Sequence, residues 1–143
     1  MRVSDVMTPG VAVAQPRSTV HDVAGIMRVE DCGFVPVVDA GHLVGVVTDR
    51  DLVIRCLADE QLGTTAGHLP IAEVMTAADL VTIDPDEALE TAAHMMALRQ
   101  VRRLVVTQDG AVKGVLTLGD LEQAMHGRGA AAREAILAVT LQG

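Results

Sequence analysis

The chain has 143 residues, half of them hydrophobic, and a net charge of −8 from eleven Lys and Arg against nineteen Asp and Glu. A single aromatic residue, Phe34, argues against the ring platforms used to bind single-stranded nucleic acid, and the acid excess argues against duplex binding through a basic patch. No apolar run is long enough to span a bilayer and no secretory leader is legible, so a cytoplasmic protein with neither membrane nor nucleic-acid partner is expected.

At this length the chain makes one compact unit or two small ones sharing a core. Without rings, that core is Val, Leu, Ile, Ala and Met, with the seven methionines as filler. Cys32 and Cys56 form neither a C-x-x-C nor a metal-type cluster, and reduced, mostly buried thiols are expected.

In chain order, the sequence reads as a repeat. Val6-Met7-Thr8 returns as Val74-Met75-Thr76, 68 positions on. Val11-Ala12-Val13 and Leu80-Val81-Thr82-Ile83 are brief β-like stretches that end at Pro16 and Pro85. A helix is predicted after each. Thr19 caps the first, with Val20, Val23, Ala24 and Met27 at helical spacing; Asp84-Pro85-Asp86-Glu87 starts the second, ahead of Ala88, Ala92, Met95 and Met96. His21 and His94 fall on exposed faces of these helices. Phe34-Val35-Pro36-Val37-Val38 matches Arg102-Arg103-Leu104-Val105-Val106 as a strand, followed by a turn at Gly41 or Gly110 and a second strand, so each half holds a hairpin. One extra residue in the second turn is read as moving the offset from 68 to 69. A last helix runs through Leu52, Ile54 and Leu57 in one half and through Leu121, Ala124 and Met125 in the other.

The second hairpin strand carries the motif with most chemistry in it. Gly45-Val46-Val47-Thr48-Asp49-Arg50-Asp51 returns as Gly114-Val115-Leu116-Thr117-Leu118-Gly119-Asp120, both G-h-h-T-x-x-D with h aliphatic. Two readings are open. In one, each Thr and Asp form a helix capping box and nothing more. In the other, hydroxyl, carboxylate and helix N–H groups suit a nucleotide, with Asp accepting from the ribose hydroxyls and Thr and the amides facing phosphate. The duplication favours the second. No metal-spaced His or Cys set, nucleophile pattern, Walker-type loop or G-x-G-x-x-G accompanies it, so no catalytic residue, metal or enzymatic activity is assigned.

The expected fold is α/β (α+β): two β-α-β-β-α repeats, each too small to hide its aliphatic surface, packed face to face about a pseudo-two-fold axis. The expected divisions are 1–62 and 74–126 for the repeats, 63–73 for a linker, and 127–143 for a C-terminal helical segment or tail.

Val-Met-Thr, a strand ending near Pro, a helix, an h-h-P-V-V strand and G-h-h-T-x-x-D, all in duplicate, resemble a tandem pair of cystathionine β-synthase (CBS) domains over residues 1 to 126. The resemblance implies a regulatory Bateman-type module. It implies clefts between the repeats for AMP, ADP, ATP or S-adenosylmethionine as regulatory ligand, with no cofactor required. It also implies a flat homodimer, and an unidentified protein partner that reads the ligand-driven change. Carried over by position, Asp51 and Asp120 match the ribose-binding aspartates, and Thr48 and Thr117 the hydroxyls beside ribose and phosphate. Ala12 and Val81 match the early strand at the adenine edge, and Phe34 and Arg102 the cleft lining. Arg102, Arg103 and Arg50 become the phosphate partners, with a solvated surface role as their alternative. Leu104 and Gly119 stand where the family often has Pro and a larger side chain. Ala77 and Ala78 leave the second early loop without a polar group. The alternative function is a dimerisation or interaction module that binds no ligand.

Overall fold

The structure is a computed structural model that describes residues 1–126; the C-terminal segment expected over 127–143 lies outside the described residues. The described residues form two compact units, one continuous (12–80) and one split (1–11 with 81–126). The chain's first eleven residues are therefore built into the unit that carries the second hairpin.

In the split unit, β1 (Thr8–Pro9), β4 (Thr82–Ile83), β5 (Arg103–Gln108) and β6 (Ala111–Thr117) make a sheet of order β1-β6-β5-β4. Its hairpin is antiparallel, with Arg103 opposite Thr117, while β4 lies parallel to β5 and β1 antiparallel to β6. Helices α3 (Leu89–Arg99) and α4 (Leu118–Met125) belong to this unit. Their buried side chains Leu89, Ala92, Ala93, Met96 and Leu121 close a core with Leu104, Val106 and Leu116. Fully burying a Leu side chain contributes about 1.5–3 kcal/mol, so this aliphatic set suffices without aromatic residues.

The continuous unit repeats the plan. The hairpin of β2 (Phe34–Asp39) and β3 (His42–Thr48) sets Phe34 opposite Thr48. Isolated bridges stand in for the flanking strands: Ala14 parallel to Val37, and Thr76 antiparallel to Val46. Helix α1 (Val20–Glu30) buries Val20, Val23 and Met27, and Thr19 caps it by accepting from the Asp22 N–H, as expected. Ala24 faces solvent instead of the core, whereas His21 and His94 are exposed as predicted. Helix α2 (Asp49–Asp51) continues as a π-helix over Leu52–Leu57, which leaves Ile54 and Leu57 exposed while Leu52 and Cys56 are buried. Cys32 is exposed, against the expectation of buried thiols. The stretch 63–73 holds two 3-10 turns, and its Ala66 and Ile71 are part of this unit's core.

Strand register corrects the repeat alignment. Both hairpin turns have two residues, Ala40-Gly41 and Asp109-Gly110, with positive φ throughout (50° and 83°, 54° and 83°), a type I′ geometry that matches strand twist. The extra residue is therefore not in the turn. Thr8 and Thr76 face Val115 and Val46, an offset of 68, but Ala14 and Ile83 face Val37 and Val106, an offset of 69. The insertion lies between Thr76 and Asp79, whose φ of 54° matches the 62° of Gly10. Phe34 is thus the counterpart of Arg103 rather than Arg102, and Val105, not Leu104, stands where Pro36 does. The early β-like stretches are also displaced. In the first repeat the strand forms at Thr8–Pro9 and a bridge at Ala14, outside 11–13; in the second it is confined to Thr82–Ile83.

The glycine that opens G-h-h-T-x-x-D has a packing reason. A Cβ on Gly114 would lie 2.5 Å from the Thr8 carbonyl oxygen and 3.0 Å from Met7 Sδ; one on Gly45 would meet Met75 Sδ at 2.5 Å and the Thr76 oxygen at 3.1 Å. Each Val-Met-Thr segment thus crosses, within its own unit, the glycine of the G-h-h-T-x-x-D strand it pairs with.

Candidate functional site

Each strand β3 and β6 ends at a threonine with extended backbone, and the following residues turn into a helix. Asp51 Oδ2 accepts from the Thr48 N–H at 2.9 Å and the Asp51 N–H donates to Thr48 Oγ1 at 3.2 Å; the split unit repeats this at 2.9 and 3.1 Å with Thr117 and Asp120. The capping box is therefore formed in both copies. It engages one carboxylate oxygen of each aspartate and leaves Oδ1 for another partner. All four residues are partly buried, at the edge between core and solvent where a ligand group is reachable.

The surroundings of the two copies differ. In the split unit Arg102, Arg103, Thr117, Leu118, Gly119 and Glu122 line a concavity of about 290 Å³. The Arg102 carbonyl accepts from the Leu118 N–H at 2.8 Å, fixing the first arginine against the start of α4, and Arg103 sits directly across from Thr117. Gly119 contributes no side chain, which opens this face. Two arginines and a hydroxyl line the concavity beside the Glu122 carboxylate, so both signs of charge border it. Asp120 lines a different concavity, of about 310 Å³, with Met1, Asp5, Val6, Gln123 and Ala124. The structure thus gathers Arg102, Arg103 and Thr117 and sets Asp120 on a neighbouring face of the same helix start. Val81 is half-buried against this unit's core.

In the continuous unit the counterpart of Arg102 is Gly33, and that of Leu118 is Asp49. The Asp49 N–H donates to the Gly33 carbonyl at 3.0 Å, and its carboxylate stands where a Cβ on residue 33 would be (2.8 Å to Oδ2). Asp49 Oδ1 also accepts from the Arg50 N–H at 2.8 Å. A carboxylate thus occupies the rim that an arginine occupies in the split unit. Phe34 and Ala12 are half-buried and Arg50 is exposed. Asp51 Oδ1 faces Arg55 Nε at 3.6 Å, and Arg55 Nη1 donates to the carbonyls of Val74 and Met75 at 3.1 and 3.4 Å.

Arg55, Asp49 and, in the second concavity, the residues that accompany Asp120 were not picked out as site residues from the sequence. The Asp51–Arg55 spacing of four was a readable signal for a helical ion pair, and the offset of 69 exposes Arg55 against Ala124. Asp5 and Val6 carried no such signal, because their place beside Asp120 depends on the pairing of β1 with β6. Among the described residues, no group of three or more His, Cys, Asp or Glu is placed to hold a metal ion, and no helix is long and apolar enough to cross a membrane.

Comparison with known proteins agrees with this duplicated architecture. The CBS domain profile matches residues 3–57 and again 71–127. The CBS domain-containing protein YhcV of Bacillus subtilis (strain 168) is 39% identical over 119 residues, which is 83% of this chain and 81% of that protein. Among solved structures, CBSX2 in complex with AMP superposes with a TM-score of 0.71 at 31% identity, over 88% of this chain and 96% of that one. The CBS domain pair of protein MJ0100, in complex with 5′-methylthioadenosine and S-adenosyl-L-methionine, does so with a TM-score of 0.74 at 25% identity, over 89% and 97%. With two matched repeats, a mixed α/β fold and the repeated strand–threonine–aspartate turn, this chain belongs to the CBS domain family.

Proposed function

We propose that the protein is a regulatory module, without catalysis of its own, that binds an adenine nucleotide or S-adenosylmethionine and passes the binding on to a partner protein as a conformational change. The observation that carries the reading is the repeated pair Thr48–Asp51 and Thr117–Asp120, each aspartate keeping one oxygen beyond its cap. In this reading the ribose hydroxyls donate to Asp51 or Asp120, and Ala12 or Val81 borders the adenine beside Phe34 in the continuous unit. Arg102 and Arg103, with Thr117, take the phosphates of a ligand in the split unit, and Arg50 is the corresponding cation in the other. The rim charges favour the split unit for an anionic ligand, since Asp49 repels phosphate where Arg102 attracts it. The structural relatives that carry AMP or S-adenosylmethionine support the ligand class. Binding shifts the conformational equilibrium only by its differential affinity for the two states.

Calorimetric titration of AMP, ATP and S-adenosylmethionine tests this. At least one binds the native chain, and Asp51→Ala combined with Asp120→Ala abolishes binding while the fold persists by circular dichroism. Undiminished affinity in that double variant contradicts the site.

One observation favours a second reading, a dimerisation module that binds no ligand: Val29 and Leu98 occupy matching positions on α1 and α3 and are 75% and 81% exposed. Flat titrations together with a tight dimer in sedimentation would select it. The same surface serves a homodimer in the first reading.

A further inference from the structure

We propose that Arg55 is a built-in competitor for the Asp51 site, so that an adenosine-containing ligand fills the Asp120 site first; the inference rests on the function proposed above. One guanidinium pairs with Asp51 Oδ1, left over from the capping box, at 3.6 Å and donates to the carbonyls of Val74 and Met75. A ligand reaching Asp51 Oδ1 from this side must displace it. The Asp51 side chain is 17% exposed and that of Arg55 49%, so the arginine, half in water, is the partner that can be displaced.

The split unit has the same cap without the occupant. Its residue at the Arg55 position is Ala124, and Val6 is the counterpart of Val74. The space that a guanidinium fills in one unit is, in the other, the concavity of about 310 Å³ bordered by Asp120, Asp5, Val6 and Ala124. Two carboxylates on its wall select a group rich in hydrogen-bond donors, and a vicinal diol is such a group. They also turn phosphate away, toward Arg102 and Arg103 on the neighbouring face. A ribose with its hydroxyls on Asp120 and its phosphate at the arginines satisfies both faces; the continuous unit, with Arg55 in the first place and Asp49 in the second, opposes both.

AMP titrated calorimetrically into the full chain, with Asp51→Ala and Asp120→Ala to assign the sites, tests the inference. The native protein shows its stronger site lost in Asp120→Ala and kept in Asp51→Ala. Arg55→Ala strengthens the weaker site by roughly three- to tenfold, the worth of a half-exposed ion pair with its hydrogen bonds. Ala124→Arg, which installs the competitor, weakens the stronger site by a similar factor. Because Ala124 leans on the core, Gln123→Arg at the exposed rim is the second variant, with thermal melting as the folding control for both. Unaltered affinity at the weaker site in Arg55→Ala, or native-like affinity at the stronger site in both folded arginine variants, overturns this inference and leaves the parent reading intact. Absence of binding by AMP, ATP and S-adenosylmethionine to every variant overturns both.

Discussion

The continuous and split units share one backbone plan and differ at the mouth of the motif. At an offset of 69, Val35 and Leu104, Val37 and Val106, and Val47 and Leu116 are all buried, so the hairpin strands share their core positions. Around Thr-x-x-Asp the correspondence fails: Gly33 against Arg102, Asp49 against Leu118, Arg50 against Gly119, Arg55 against Ala124. Packing restricts the first set to aliphatic residues of similar volume. The second set touches solvent, where either charge is tolerated, and there the two copies diverge: Asp49, Arg50 and Arg55 surround the motif in one, Arg102, Arg103 and Glu122 in the other. A duplicated fold can in this way keep one backbone geometry at two motifs while changing the side chains around each.

The largest effect expected from probing this comparison is at the motif glycines. Gly114→Ala drives a Cβ into the Thr8 carbonyl, which is backbone and cannot move aside cheaply, and is expected to cost about 2 kcal/mol. Gly45→Ala meets chiefly the flexible end of Met75 and costs less, about 1 kcal/mol. Urea unfolding of the two variants checks the order; equal costs would mean that the two crossings are not packed as described.

A smaller effect of opposite sign is expected at the turns. Asp109 suits its positive φ, whereas Ala40 pays for the same conformation with no side-chain hydrogen bond to offset it. Ala40→Asn is therefore expected to stabilise by about 0.5 kcal/mol in the same assay. No gain would show that the first turn tolerates alanine without strain.

The smallest effect concerns acid. The capping box on α1, first through the Thr19 N–H and then the Thr19 hydroxyl, holds the Asp22 carboxyl below the usual carboxylate value of 3.8. A lowered folded-state value means the contribution is present above 3.8 and lost as pH falls through the folded value. At the start of α3 the cap residue is Ala88, with no side-chain cap. Asp22→Asn should thus flatten stability against pH only below about pH 4, and an unchanged acid limb in thermal melts would contradict this.

Much of the plan was legible in the sequence because it rests on local chemistry: Thr19, Thr48 and Thr117 cap the helices they were expected to cap, and Gly41 and Gly110 sit in the hairpin turns. What sequence could not supply was long-range pairing. That residues 1–11 build into the unit of the second hairpin follows from bonds such as Val3 N–H to the Glu87 carbonyl at 2.9 Å, across 84 positions. The misplaced insertion has the same origin, since only strand register distinguishes a longer turn from a longer early loop. The π-helix after Asp51 likewise had no sequence signal, and Ile54 and Leu57, through which an ordinary helix was expected to run, lie exposed on it.

The unequal pair of sites is tested most directly by following backbone amide resonances while AMP is added to the full chain. The account predicts that the amides of Thr117, Gly119 and Asp120 shift at lower AMP than those of Thr48, Arg50 and Asp51. Equal midpoints, the reverse order, or shifts confined to residues away from both motifs would contradict it.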